Sequence, residues 1–359
     1  MISPLPLEEL RALLALRFTP GLGALRIRAL IRHFGGAEVA FGAKLSSLRE
    51  VDGLEAKSVA AIGKLEWLER ADVELERVQK VGARLIGYGA PDYPQALHAL
   101  PDPPAVLWVK GELPELETVP KAIGIVGTRK ASPQGLAFSR KLARALSEVG
   151  IKIVSGLARG IDTAAHEACL EGGSLTIGVL GSGVDVIYPA ENIRLASRMT
   201  VLSEHPLGTP PASFNFPGRN RLIAALSAGS VIVEGDVKSG AMITAGAALE
   251  CGRTVFAVPG RPLETLSQGP HKLLREGATL CESAEDIVLE FGWLSKPAPP
   301  LPDLPPEQLK VLGALEGTPL LDDIALRCGL SSFEVQSVLM MLRFQGLVQE
   351  LPGGRYSRG

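Results

Sequence analysis

The spacing of apolar and polar residues changes character twice along the chain. Up to about Leu85, apolar residues recur at helical intervals. From about Ala122 to Trp293, short apolar runs alternate with amphipathic stretches: AIGIVG, LAFSRKLARALSEVG, IKIVSG, DTAAHEACLEGG and LTIGVLGSG. The alternation continues through TVLSEHP, NRLIAALSAG, SVIVEG, MITAGAALECG and TVFAVPG. Repeated strand-helix alternation predicts a parallel sheet covered on both faces, an α/β, extended Rossmann-like doubly wound fold of six or seven strands. Between Pro91 and Gly111 the prolines resist a long helix, and VLWV suits a short strand entering this domain.

The run KPAPPLPDLPPE, Lys296 to Glu307, can continue neither a helix nor a central strand and reads as a semi-rigid spacer. The expected organisation is therefore a helical domain over 1–85, the Rossmann-like domain over 86–295, the linker over 296–307 and a separate domain over 308–359. That last segment reads as a helix, a helix-turn-helix and a hairpin turned by Pro352, Gly353 and Gly354, which is a winged-helix pattern. Leu301 to Gly359 carries seven acids against five bases, and the candidate recognition helix SSFEVQSVLMMLRFQG holds only Arg343. Weak duplex binding or a protein-protein role is expected of it.

The first block contains two similar segments, TPGLGALRIRALI (Thr19–Ile31) and VDGLEAKSVAAI (Val51–Ile62), each a glycine turn before an amphipathic helix. The pair looks like tandem helix-hairpin-helix motifs or a SAM-like bundle, in which N–H groups at a helix start can face a phosphate. Arg26, Arg28 and Arg32 accompany the first segment, whereas Glu55 and Lys57 accompany the second. Two readings stand: glycines that simply turn a small bundle, or an auxiliary DNA contact.

A formal charge of -2, with 46% hydrophobic and 5% aromatic residues over 359 positions, gives no whole-chain nucleic-acid signal, so any such signal is local. Cys169, Cys251, Cys281 and Cys328 lack metal or disulfide spacing and read as reduced, mostly buried thiols. With neither a signal-peptide pattern nor a long uncharged apolar stretch, the expectation is a soluble, cytoplasmic protein with no membrane contact.

The local signal lies at the strand ends. AIGIVG runs into GTRKASPQG (Gly127–Gly135), which places Arg129, Lys130 and Ser132 before a helix whose N-terminal donors suit a phosphate. The next strand ends in SGLARGID (Ser155–Asp162), with Arg159 between two glycines. From Gly127 to Gly160 seven basic residues face one acid, Glu148. Arg140, Lys141 and Arg144 belong to an outer helix face, leaving Arg129, Arg159 and Lys130 as the useful charge. A third cluster, FNFPGRNRLIAALSAG, crowds Phe214, Phe216, Arg219, Asn220 and Arg221: rings stack on exposed bases while guanidinium groups hold phosphates. Either phenylalanine could instead staple the following helix to the core. In KSGAMITAGAALE, Ser239, Gly240 and Thr244 either shape the groove, with Lys238 at its edge, or cap the helix. Asp162 and His166, four apart on one helix face, suit a local ion pair or a catalytic dyad, and the absence of a nearby nucleophile or metal-ligand set favours the structural reading.

Neither a G-x-G-x-x-G fingerprint opening a βαβ unit nor a G-x-x-x-x-G-K-[ST] loop occurs, so nicotinamide chemistry and ATP hydrolysis lose support, and no cofactor or metal is expected. The order GTRKASPQG, SGLARGIDTAAH, GVLGSGVDVIYPAEN, FPGRNRLIAALS, SGAMITAGAALE and VFAVPG closely resembles the DprA/Smf family of DNA-processing proteins over Gly124 to Gly277. The resemblance implies a homodimer that binds single-stranded DNA without sequence preference, protects it and loads the RecA recombinase in natural transformation, without catalysis. It carries the binding pocket to Gly127, Arg129, Ser132, Ser155, Gly156, Arg159, Arg219, Asn220 and Arg221, to which the reading of the residues adds Lys130, Phe216 and Lys238. The sequence departs from the family at Gly269-Pro270-His271 and at Gly235.

Two other functions compete with this reading. Nucleoside-monophosphate phosphoribohydrolases share a related fold, but their P-G-G-x-G-T-x-x-E motif is absent, and VPGRPLETL echoes only its first letters. A transcriptional regulator would need a more basic recognition helix.

Overall fold

The structure is a computed structural model that describes residues 5–114, 117, 120–293, 304–315, 319–344, 347–351 and 354–358. Most of the proline-rich linker, and Pro352 and Gly353 of the expected wing turn, lie outside the described residues. The strands are β1 Arg84–Gly87, β2 Val106–Lys110, β3 Ala122–Val126, β4 Lys152–Ser155, β5 Thr176–Leu180, β6 Thr200–Ser203, β7 Gly229–Ile232, β8 Thr254–Ala257, β9 Thr279–Leu280, β10 Val348–Leu351 and β11 Arg355–Arg358. The first six helices are α1 Leu7–Phe18, α2 Ala24–Phe34, α3 Ala37–Phe41, α4 Leu45–Leu48, α5 Ala56–Ala61 and α6 Leu65–Lys80. Between the strands follow α7 Pro133–Glu148, α8 Ile161–Glu171, α9 Ile193–Ala196, α10 Asn215–Ala225, α11 Gly240–Glu250, α12 Gln268–Arg275 and α13 Ala284–Glu290. The last three are α14 Pro306–Gly313, α15 Leu321–Cys328 and α16 Ser332–Phe344.

Among the described residues, β1 to β9 form one sheet in the order β1-β2-β6-β5-β4-β3-β7-β8-β9. The segment from β6 to β9 is parallel throughout, and β2 and β1 extend it as antiparallel strands. The chain winds outward from β3 to β6, then returns to the other side of β3 with β7. That reversal makes a crevice beyond the carboxyl ends of β3 and β7, the topological switch point at which open α/β sheets bind ligands.

Strand alternation explains why both faces are covered. Ala122 and Val126 of β3 join Leu222 and Ile223 of α10 and Ala245 of α11 in one apolar cluster. The intervening Ile123 and Ile125 are also fully buried and point to the opposite face, where α8 packs on β3, β4 and β5. The N-terminal helices are not a detached module: Leu13, Leu16, Ile27 and Val78 share a core with Trp108 of β2 and Val201 of β6. Glu74 of α6, buried, accepts from the Trp108 indole N–H at 2.8 Å and the Leu207 amide at 2.7 Å, tying the helical block to the sheet edge.

Residues 291–359 form a second compact unit. Val311, Ile324, Val335, Leu339, Leu342 and Val348 make its core, and β10 pairs with β11 behind the α15-α16 helix pair, giving a winged helix. Gly329 takes the left-handed conformation that ends α15. Arg343, the one cation of α16, is hydrogen-bonded to Glu350, and the exposed face of that helix carries Phe333, Met340 and Phe344.

No described helix is long and apolar enough to cross a membrane. The four cysteines are free thiols, Cys169 and Cys281 buried, Cys251 and Cys328 partly so.

Candidate nucleic-acid interface

The crevice at the switch point is a cleft of about 620 Å³. The β3 end contributes Gly127, Thr128, Arg129 and Lys130; the start of α10 contributes Phe216, Pro217, Arg219 and Asn220; and the start of α11 contributes Ser239, Gly240 and Thr244. A smaller concavity beside it joins Gly156 and Arg159 after β4, Tyr188 after β5, and again Arg129, Phe216 and Arg219. Gly127, Arg129, Lys130, Gly156, Arg159, Phe216, Arg219 and Asn220 are thus brought together.

Their roles differ. Arg129 is exposed, makes no ion pair among the described residues, and lies 5.0 Å above the centre of the Phe216 ring. Tyr188 lies 6.1 Å from the same ring, so cation and aromatic faces are presented side by side. Arg219 is buried beneath them. Its Nη1 donates to the Gly156 carbonyl at 2.6 Å and to the Val179 carbonyl, fastening α10 to the ends of β4 and β5. A Cβ at Gly156 would lie 2.3 Å from this guanidinium, which is why the position needs glycine. Burial lowers the Arg219 pKa to about 10 despite the attraction of Asp162. Asn220 donates to the Gly240 carbonyl at 3.1 Å and so sets α11 against α10.

Several sequence expectations are corrected by geometry. Ser132 caps α7, accepting from the Gly135 amide at 3.0 Å, and its own N–H and hydroxyl donate to the Glu234 carboxylate. That carboxylate takes the place a phosphate was expected to fill at α7, and Ser132 lines a different cavity with Glu234. In the loop before α8, Asp162 of the first helical turn accepts from the Gly156 and Ala158 amides at 3.1 and 3.3 Å, so a carboxylate engages these donors as well. Ser155 is buried and donates to the Ile125 carbonyl, a strand-to-strand tie. Arg221 points away from the cleft, to Glu204 at 2.6 Å and the Asp102 carbonyl at 3.2 Å, because α10 turns successive residues to different faces. Lys238 is exposed in the turn before α11 and does not line the cleft. Phe214 is 80% exposed and staples nothing.

The exposed helix N-terminus at the cleft is that of α11. Ser239 is its N-cap residue, and the Ser239 hydroxyl is buried with no hydrogen-bond partner. The departure at Gly235 fits this turn: a Cβ there would sit 2.4 Å from the Ser239 hydroxyl. The departure at His271 lies elsewhere, its Nε2 beside the Gly260 backbone.

The supposed Asp162–His166 pair is dissolved. His166 bonds Thr176 Oγ1 through Nδ1 at 2.6 Å, while Asp162 serves the backbone amides. Burial, assisted by Arg219, pushes the His166 pKa down to about 3. Between about pH 6.5 and pH 3 the unfolded chain gains a proton there that the folded chain refuses, so stability falls with acid by about 1.4 kcal/mol per pH unit. Urea unfolding across this window is expected to show a shallower acid loss in His166→Gln; an unchanged slope would remove His166 from the linkage.

Arg159 is held by Glu191 through two hydrogen bonds, at 2.6 and 2.7 Å, on an exposed surface. An anion entering here would compete with that carboxylate. Glu191→Gln is expected to tighten oligothymidine binding about two- to threefold at low salt, an advantage that fades as salt rises. Anisotropy titrations of the variant check it, and equal or weaker binding would exclude Arg159 from the interface. Glu191, Glu234 and Tyr188 were missed by sequence reading; only the acid ending VIVEG gave a signal for Glu234.

Comparison with known proteins fits this geometry. Residues 84–292 match the family of DNA recombination-mediator protein A, and residues 295–354 match the DprA winged helix domain. The chain belongs to the DNA recombination-mediator protein A family. Protein Smf of Synechocystis sp. is 35% identical over 94% of this chain and 96% of its own length. Among solved structures, DNA processing protein A of Streptococcus pneumoniae superposes with a TM-score of 0.66 at 35% identity, covering 77% of this chain and 95% of that one. DNA processing protein A of Helicobacter pylori, whose structure was reported for its single-stranded DNA binding mode, gives 0.51 at 33% identity over 56% and 93%. In this member of the family the cleft lies within the segment 84–292, and the Rossmann-like sheet and winged helix agree with the sequence expectation.

Proposed function

We propose that the chain binds single-stranded DNA without sequence preference in the cleft at the carboxyl ends of β3, β4 and β7. The observation that carries the reading is the unpaired Arg129 guanidinium over the Phe216 ring, beside the uncapped start of α11. Arg129 and the α11 amides hold phosphates, Phe216 and Tyr188 offer faces for bases, and none of these reads a base edge. Lys130, at the mouth, and Lys238, beyond it, add charge without an ion-pair partner among the described residues.

The site binds and does not turn over. Asp162, Glu234 and His166, the groups nearest to acid-base chemistry, are each engaged by the fold itself. From the family resemblance we extend the proposal to a cytoplasmic homodimer that protects the strand and loads RecA during transformation. The segments 1–85, 86–295 and 308–359 act in it as helical, strand-binding and accessory winged-helix parts.

The test is a titration of labelled oligothymidine and a matched duplex at several salt concentrations. The single strand is expected to bind more tightly, with a log-log salt slope of about -0.7 per phosphate held. Equal affinity for the duplex would overturn the proposal.

A further inference from the structure

The carboxyl rim of the sheet continues past the cleft. Beyond β6, the loop 204–209 meets the turn Thr19–Leu22 of the helical block and encloses a second concavity of about 580 Å³, lined by Arg17, Arg70 and His205. Arg70 lies 4.4 Å over the Phe18 ring and has no ion pair among the described residues. Arg17 reaches only as far as the Glu204 carbonyl, at 3.4 Å. Burial lowers its pKa, the Glu204 carboxylate opposes that shift, and Arg70 adds to it. The His205 Nε2 is buried without a hydrogen-bond partner.

The neighbouring acids answer this charge only in part. Glu204 is bonded to Arg221 at 2.6 Å, and Asp185 accepts from the Gly208 amide at 2.8 Å and faces Arg77. Two guanidinium groups that repel one another therefore line one concave space with His205, whose buried Nε2 has no hydrogen-bond partner among the described residues. Cations taken partly out of water are costly unless an anion joins them. Arg26 and Arg28, the cations the sequence offered in this block, are instead consumed by Glu55 and by the Pro101 carbonyl.

We propose that Arg17, Arg70 and His205 form a second phosphate subsite, taking a phosphodiester of the strand whose bases lie in the cleft. The inference rests on the single-strand reading above. β6 stands three strand spacings from β3, roughly 14 Å, along the same rim. The path between them passes Arg159 and Tyr188. An oligonucleotide confined to the cleft leaves the subsite empty, whereas a longer one fills both.

The experiment titrates oligothymidines of about 4 and about 16 nucleotides against the full chain and Arg70→Glu, Arg17→Gln and Arg129→Ala variants. Arg70 is exposed, so its replacement leaves the fold intact, and thermal unfolding verifies this. The expected result is unchanged binding of the short oligonucleotide by Arg70→Glu and Arg17→Gln, with about tenfold weaker binding of the long one and a salt slope smaller by about 0.7. If Arg129→Ala weakens both lengths while Arg70→Glu changes neither, the subsite falls and the cleft stands. If Arg70→Glu weakens both equally, it acts through the cleft and the subsite falls. If the unmodified chain binds neither length, the cleft reading and the subsite fall together. Inorganic phosphate that stabilises such a chain but not Arg70→Glu would then assign the concavity to a free phosphate.

Discussion

Arg129→Ala is expected to weaken oligothymidine binding by about 10- to 100-fold while leaving thermal stability unchanged. The size follows from the chemistry: a charge-assisted hydrogen bond to phosphate contributes about 1.5–3 kcal/mol, and each 1.4 kcal/mol is a factor of ten. Arg129 is exposed and its guanidinium makes no ion pair among the described residues, so removal subtracts mainly what it gives the ligand. Arg129→Lys restores charge but not the flat face over Phe216, and is expected to recover only part of the loss. Anisotropy with the three proteins checks this. Alanine binding as well as arginine would place the strand elsewhere.

Asp162→Ala is expected to cost about 3–5 kcal/mol of folding stability, the loss that follows when one member of a buried charged group is removed. Burial raises the Asp162 pKa, and Arg219 together with the Ala158 and Gly156 amides opposes that rise. Without the carboxylate, the Gly156 and Ala158 amides in the loop before α8 lose their acceptor, and the buried Arg219 loses the attraction that opposes its desolvation. Because Arg219 underlies Phe216, binding suffers as well. Urea unfolding of Asp162→Ala measures the effect; a loss below about 1 kcal/mol would show that Arg219 needs no counter-charge. Asp162→Asn, which keeps an acceptor for the amides but loses the charge, separates the two contributions.

The strand-helix alternation carried the fold because its two periods, 2 and 3.6, are local properties of the chain. The strand order, nine strands with the switch between β3 and β7, was not read from the sequence, because which strands become neighbours is a long-range property. What remained hidden were long-range pairings. Ser132 and Glu234 are 102 positions apart, and nothing near Ser132 announces that a carboxylate will occupy its helix start. Arg219 and Arg221 look alike as neighbours of Asn220, yet the roughly half turn of α10 between them buries the first under the cleft and sends the second to Glu204. Periodicity could have separated them had the start of α10 been fixed, but Pro217 and Gly218 in its first turn masked it. Arg129 and Phe216 were legible because their chemistry does not depend on a distant partner: an exposed cation on a loop and a ring at a helix start suit a single strand wherever they meet.

The most direct measurement is where the strand lies. Oligothymidine cross-linked to the full chain by ultraviolet light and mapped by mass spectrometry should modify peptides containing Phe216 and Tyr188. Arg129→Ala should reduce both cross-links together. Cross-links confined to residues 304–358, with Phe216 and Tyr188 unmodified, would contradict the account and move the binding site to the winged helix.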